Sequence, residues 1–137
     1  MIEPYSRIEH LHLSSVLMKR TRFYSEADRA VLATIRCGLL FVMAFWSVPA
    51  RLAFQELKRV LEAVDPEGRL ELVVLDTDGC PDIGGLPEFV GKLHGAGETA
   101  WVLKGQILRT SGLGYHPECF ELYTRLLLEE FQDIGAD

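Results

Sequence analysis

Eight consecutive apolar residues, Leu39 to Trp46, stand between Gly38 and the turn-forming Ser47-Val48-Pro49, and this run restricts the fold more than any other feature. A strand with one face in water alternates apolar and polar side chains, whereas an unbroken run fits a strand covered on both faces, as in a parallel sheet. Immediately after it, Pro49 suits the first turn of a helix. Ala53, Leu57, Val60, Leu61 and Val64 then follow the spacing of one apolar helix face, with Arg51, Lys58, Arg59 and Glu62 mostly on the other side. Asp65-Pro66-Glu67-Gly68 closes this helix near Val64.

The remaining elements are read the same way. Ser25 to Arg36 suits a helix, with Ser25 as cap, Glu26 and Asp28 in the first turn and Gly38 just past the end. Leu70 to Leu75 is a strand that runs into the turn cluster Asp76 to Pro81. Leu86 to His94 reads as a short helix between Pro87 and Gly95, and residues 100–103 and 106–110 form an antiparallel hairpin about Lys104-Gly105. A final helix begins at Pro117 and buries Phe120, Tyr123, Leu126, Leu127 and Phe131. Residues 1–24 are expected to form an N-terminal extension, helical from Ile8 to Arg20, ahead of a domain spanning 25–137.

Length and charge bound the function classes. A chain of 137 residues that is 48% hydrophobic supports one core without disulfide or metal staples. The longest charge-free stretch, Cys37 to Ala50, contains Gly38, Ser47 and Pro49 and is too short for a membrane span. Glu3, Arg7 and Glu9 interrupt the place of a secretory apolar region, so a soluble cytoplasmic protein is expected. The net charge is −6. Residues 1–36 hold six basic and four acidic groups, and the rest hold eight and sixteen. The Lys19-Arg20-Thr21-Arg22 cluster reads as a solvated helix end, and nucleic acid is not an expected partner. Cys37, Cys80 and Cys119 form no CxxC pair and are expected to be reduced, with Cys80, in the loop before Pro81, the most exposed thiol. No metal site is expected. Asp76-Thr77-Asp78-Gly79 lacks the later positions of a calcium loop, and His116 and Cys119 have no second ligand pair.

Trp46-Ser47-Val48-Pro49-Ala50-Arg51 resembles the active-site segment of thioredoxins, Trp-Cys-Gly-Pro-Cys-Lys/Arg, with both cysteines replaced. Asp76-Thr77-Asp78 with Pro81 and Asp82, the Lys104-Gly105-Gln106 turn and Arg109-Thr110-Ser111-Gly112 are similar to later segments of that family, so the resemblance spans residues 25–134. It implies a thioredoxin-like three-layer α/β/α sandwich around a mixed sheet of about four strands.

The departures from the family pattern carry the chemistry. Thioredoxin exchange needs a low-pKa thiolate at the helix start and a second thiol to resolve the mixed disulfide. Those places hold Ser47 and Ala50, and neither side chain can form a disulfide. By the same resemblance the family's buried carboxylate falls at Phe41, and its cis-proline falls at Glu98, before Thr99, where a trans peptide is expected. The expected function is a redox-inactive, non-catalytic binding or adaptor module without a cofactor. Its partner, an unknown protein or peptide, would dock on a rim of Trp46, Ser47, Val48, Pro49, Glu98 and Thr99. The alternative is a thiol-dependent oxidoreductase or glutathione-type transferase acting through Ser47 or Cys80, and a homodimer formed through the N-terminal extension is a third reading.

Overall fold

The computed structural model describes residues 8–112 and 114–133. A five-stranded sheet has the order β1-β3-β2-β4-β5, with β1 Thr21–Tyr24, β2 Cys37–Met43, β3 Glu71–Asp76, β4 Thr99–Leu103 and β5 Gln106–Thr110. β1 and β2 run parallel to β3, while β4 runs antiparallel to both β2 and β5. Every residue of β2 is buried. Leu39 and Phe41 point into a layer built by helices α2 (Val48–Val64) and α3 (Phe120–Asp133), while Leu40 and Val42 point into a second layer with Val31, Ile35, Ile83 and Phe89. That two-sided burial accounts for the unbroken apolar run.

Each helix that covers the sheet is fixed by a specific polar contact. Ser47 caps α2 by accepting from the Ala50 N–H, and Pro49 lies in the first turn. Trp101, fully buried on β4, donates its indole N–H to Thr124 Oγ1 of α3 at 3.1 Å, and its ring packs against Phe120 and Tyr123. The β4–β5 turn places both Lys104 (φ 52°) and Gly105 (φ 78°) in the left-handed region, the geometry of a type I′ hairpin.

Four local expectations are corrected. The sheet has five strands rather than about four, and the added strand, β1, comes from the segment 1–24. Residues 8–20 are not one helix: a 3-10 turn, Ile8–Leu11, is separated from the single-turn α1, Ser15–Met18, by His12 in the left-handed region (φ 52°) and by the Ser14 cap. The helix expected over 25–36 shrinks to a 3-10 segment, Arg29–Thr34, because the Asp28 side chain caps Ala30 N at 2.9 Å from an extended backbone, while the chain before it bends at Ser25, whose carbonyl packs against Gly79. The helix expected over 86–94 is a series of turns after the 3-10 segment Pro81–Gly85, interrupted at Gly91 (φ 74°).

The basic cluster is also more than a solvated helix end. Arg20 Nη1 meets Asp65 Oδ2 at 2.5 Å, and both side chains are buried, at 7% and 1% exposure. Asp65 is the C-cap of α2 and also accepts from the Arg69 and Leu70 N–H groups at the approach to β3. Replacing Arg20 with Met leaves this carboxylate buried without its counter-charge and is expected to lower the unfolding free energy by about 3 kcal/mol. The check is the urea midpoint at unchanged m-value, and a loss below about 1 kcal/mol would show that the pair behaves as a solvent-exposed one.

Candidate functional site

The bend that connects β2 to α2 has no reactive side chain exposed. The strand ends at Met43, and Ser47 N–H donates to the Ala44 carbonyl at 3.0 Å, closing a tight turn that carries Trp46 outward while Phe45 packs edge-on against Phe23. Ser47 is buried; its hydroxyl donates to the Gly95 carbonyl and accepts from the Ala50 N–H. A hydroxyl has one proton to donate, and the Gly95 carbonyl takes it. Ala50 is fully buried.

Beneath the bend the environment is apolar. Phe41 is fully buried with its ring 4.9 Å from that of Phe54, and Gly97 packs against both Phe41 and Ala53. No proton-transferring group occupies the Phe41 position.

Glu98 and Thr99 do not belong to an exposed rim, which corrects that part of the expected site. Glu98 is 1% exposed, and its Oε2 accepts from the His94 and Ala96 N–H groups at 3.1 Å each. Its backbone carbonyl accepts from Val42 N–H at 2.9 Å, joining the loop to β2. Thr99, also fully buried, donates its N–H to Ser111 Oγ and its hydroxyl to the Gly97 carbonyl. The physical reason is hydrogen-bond satisfaction: the turns before β4 leave N–H groups without backbone partners, and a carboxylate turned inward supplies them. The peptide bonds here are trans.

Of the expected rim, Trp46, Val48 and Pro49 face water. Trp46 is 62% exposed yet fixed, since its indole N–H donates to Asp78 Oδ2 at 3.1 Å. Its ring edge also lies where a Cβ on residue 95 would stand, so only glycine fits there, and Gly95 has a φ of 72° as well. Val48 is 56% exposed. Composition and spacing gave no sign of the concavity on the other side of Trp46, of about 420 Å³, lined by His10, His12, Phe45, Trp46 and Arg51.

The thiols lie away from the bend or are shielded. Cys80, expected to be exposed, is 2% exposed and pushed up to about 11, first by burial and then by Asp76 and Glu26. Its loop folds back beneath β1, bringing the sulfur within 4.0 Å of the Tyr24 carbonyl. Burial, with Glu71 and Asp65, raises Cys37 to about 12. Burial and Glu118 raise the half-buried Cys119 to about 11. Among the described residues no group of three or more His, Cys, Asp and Glu side chains could hold a metal ion, and no helix is long and apolar enough to cross a membrane.

Sheet order, crossover and helix placement define a thioredoxin-like α/β fold, and solved structures show the same. A chain from the structural study of thiol resolution in yeast mitochondrial 1-Cys peroxiredoxin superimposes with a TM-score of 0.57 at 19% identity, covering 80% of this chain and 95% of that one. Reduced desulfothioredoxin from Desulfovibrio vulgaris Hildenborough gives 0.56 at 12% identity, covering 82% and 97%. Chloroplastic thioredoxin z gives 0.53 at 22%, covering 78% and 94%. At these identities the likeness is one of fold. No family model and no curated protein matches the sequence.

The raised thiols predict slow alkylation. Since the thiolate is the nucleophile, iodoacetamide at neutral pH is expected to modify Cys80 in the folded protein about a hundredfold more slowly than a free peptide thiol, with the difference abolished in denaturant. Peptide mass mapping measures it. These groups hold their protons longer folded than unfolded, so they favour the fold below the ordinary thiol range. That contribution is lost as pH rises from the unfolded value towards about 11.

Proposed function

We propose that this chain is a redox-inactive thioredoxin-like protein that works as a non-catalytic binding or adaptor module through the outer surface of its former active-site bend. The observation that carries the reading is the bend itself, which presents a fixed, exposed Trp46 beside Val48 and Pro49 where the resemblance would put a thiolate. Disulfide exchange proceeds through a mixed disulfide and requires sulfur at the attacking atom. Ser47 and Ala50 have none, and Cys80 is buried with its thiol raised.

Binding gains from the same geometry. A large aromatic side chain already held in one position loses little freedom when a partner covers it, which is why such residues dominate interface energetics. The solved structures it resembles include thioredoxins; this chain shares their scaffold, with binding in place of their chemistry. The transferase alternative requires Ser47 to donate to a sulfur ligand, and that proton is already given to the Gly95 carbonyl.

Two measurements test the reading together. With dithiothreitol as reductant, the purified protein is expected not to hasten insulin reduction. Turnover that survives Cys80→Ser but not Ser47→Ala would overturn the assignment. In cells, a photo-cross-linking residue placed at Val48 is expected to trap a discrete partner, with recovery reduced about tenfold by Trp46→Ala if the indole is a central anchor.

A further inference from the structure

We propose that the concavity between the N-terminal segment and the start of α2 binds a short acidic peptide segment of a protein partner, one in which a carboxylate adjoins an aromatic side chain. The inference rests on the adaptor reading and specifies the chemistry of its partner. One wall is Phe45 with the exposed Trp46; the facing groups are His10, His12 and Arg51. A smaller adjoining concavity of about 200 Å³ shares His10, His12 and Arg51 and reaches Lys58. Among the described residues, no carboxylate lines either one. In a chain of net charge −6 this is a local inversion of sign, and its complement is an anion.

The polar groups differ in how committed they are. Lys58 Nζ donates to the carbonyls of Leu11 and His12 at 2.9 and 3.2 Å, so its role is to hold the turn that carries the histidines. His12 is held there in the left-handed region, an unfavourable backbone state for a residue with a side chain. Arg51 donates Nε to the Ser47 carbonyl at 3.4 Å and makes no ion pair among the described residues. Its terminal nitrogens can therefore grip a carboxylate in the fork geometry. Imidazoles can donate an N–H whether neutral or charged. The Trp46 face supplies the apolar half of the contact, while Asp78 is engaged at the indole nitrogen.

Size and charge select the occupant. The concavity is open to water and Arg51 is its exposed cation, so a bare inorganic anion would gain little there. An extended polyanion such as nucleic acid would be repelled by the acidic remainder of the chain. A peptide with one or two carboxylates beside a ring uses both walls at once.

Fluorescence anisotropy on the full chain tests this with three fluorescein-labelled peptides: two glutamates flanking a phenylalanine, the glutamine counterpart, and a version with alanine replacing phenylalanine. The acidic aromatic peptide is expected to bind about tenfold more tightly than either control and to weaken as salt rises from about 50 to 300 mM. Arg51→Glu and Arg51→Gln are expected to cost about tenfold, while Arg125→Glu on α3, with the same charge change as the first, is expected to leave binding unaltered. Thermal unfolding confirms that each variant is folded. Equal binding of acidic and glutamine peptides, equal effects of the two Arg→Glu changes, or no binding of the acidic peptide at about 1 mM would overturn the proposal. Charge-blind binding lost in Trp46→Ala would leave the adaptor reading standing, whereas catalysed insulin reduction would remove it whatever the peptides do.

Discussion

Strand β2 has no side facing water, and the rest of the molecule follows from that constraint. Burying both faces of one strand requires a layer on each side and hydrogen-bonded neighbours at both edges. β3 and β4 supply the edges, α2 and α3 cover one face, and the short segments around Val31, Ile83 and Phe89 cover the other. The tight turn at its end brings α2 back over the sheet, so the candidate surface is fixed by the most buried part of the chain.

At that turn, three side chains form a consistent set. Phe41 makes the space beneath the bend apolar, Ser47 is tied to the loop before β4, and Glu98 turns inward to satisfy that loop's backbone. Each of the three side chains contributes packing or a hydrogen bond at the bend. What remains accessible is shape and charge: an indole, two small apolar neighbours and an arginine.

The central strand, the long helix, the hairpin and the last helix were legible because their signals are local and strong. Apolar periodicity, Pro49 near a helix start and a Lys-Gly turn each point to one conformation. The N-terminal strand was not, because Thr21 to Tyr24 alternates too briefly to stand out and gains its structure from pairing with residues some fifty positions later. The orientation of Glu98 was equally hidden. A glutamate in a glycine-rich loop reads as solvent-facing, and only the three-dimensional arrangement shows two loop N–H groups converging on one of its oxygens. Cys80 was misplaced for a similar reason, since its loop folds back beneath β1 instead of projecting from the sheet. That the bend holds no sulfur, by contrast, is plain from residue identity alone.

The Arg20–Asp65 contact bears on how the molecule comes apart. Asp65 joins three pieces of chain: the end of α2, the approach to β3 and, through Arg20, the approach to β1. If β1 peeled from its edge by itself, a carboxylate would remain inside without a cation, so partial opening at that margin is disfavoured relative to opening of the whole side of the sheet. An edge strand that would otherwise fray becomes part of the cooperative unit, and the stretch from the histidine-bearing turn to that strand is anchored at both ends, by Lys58 at Leu11 and His12 and by the Arg20–Asp65 pair beside β1.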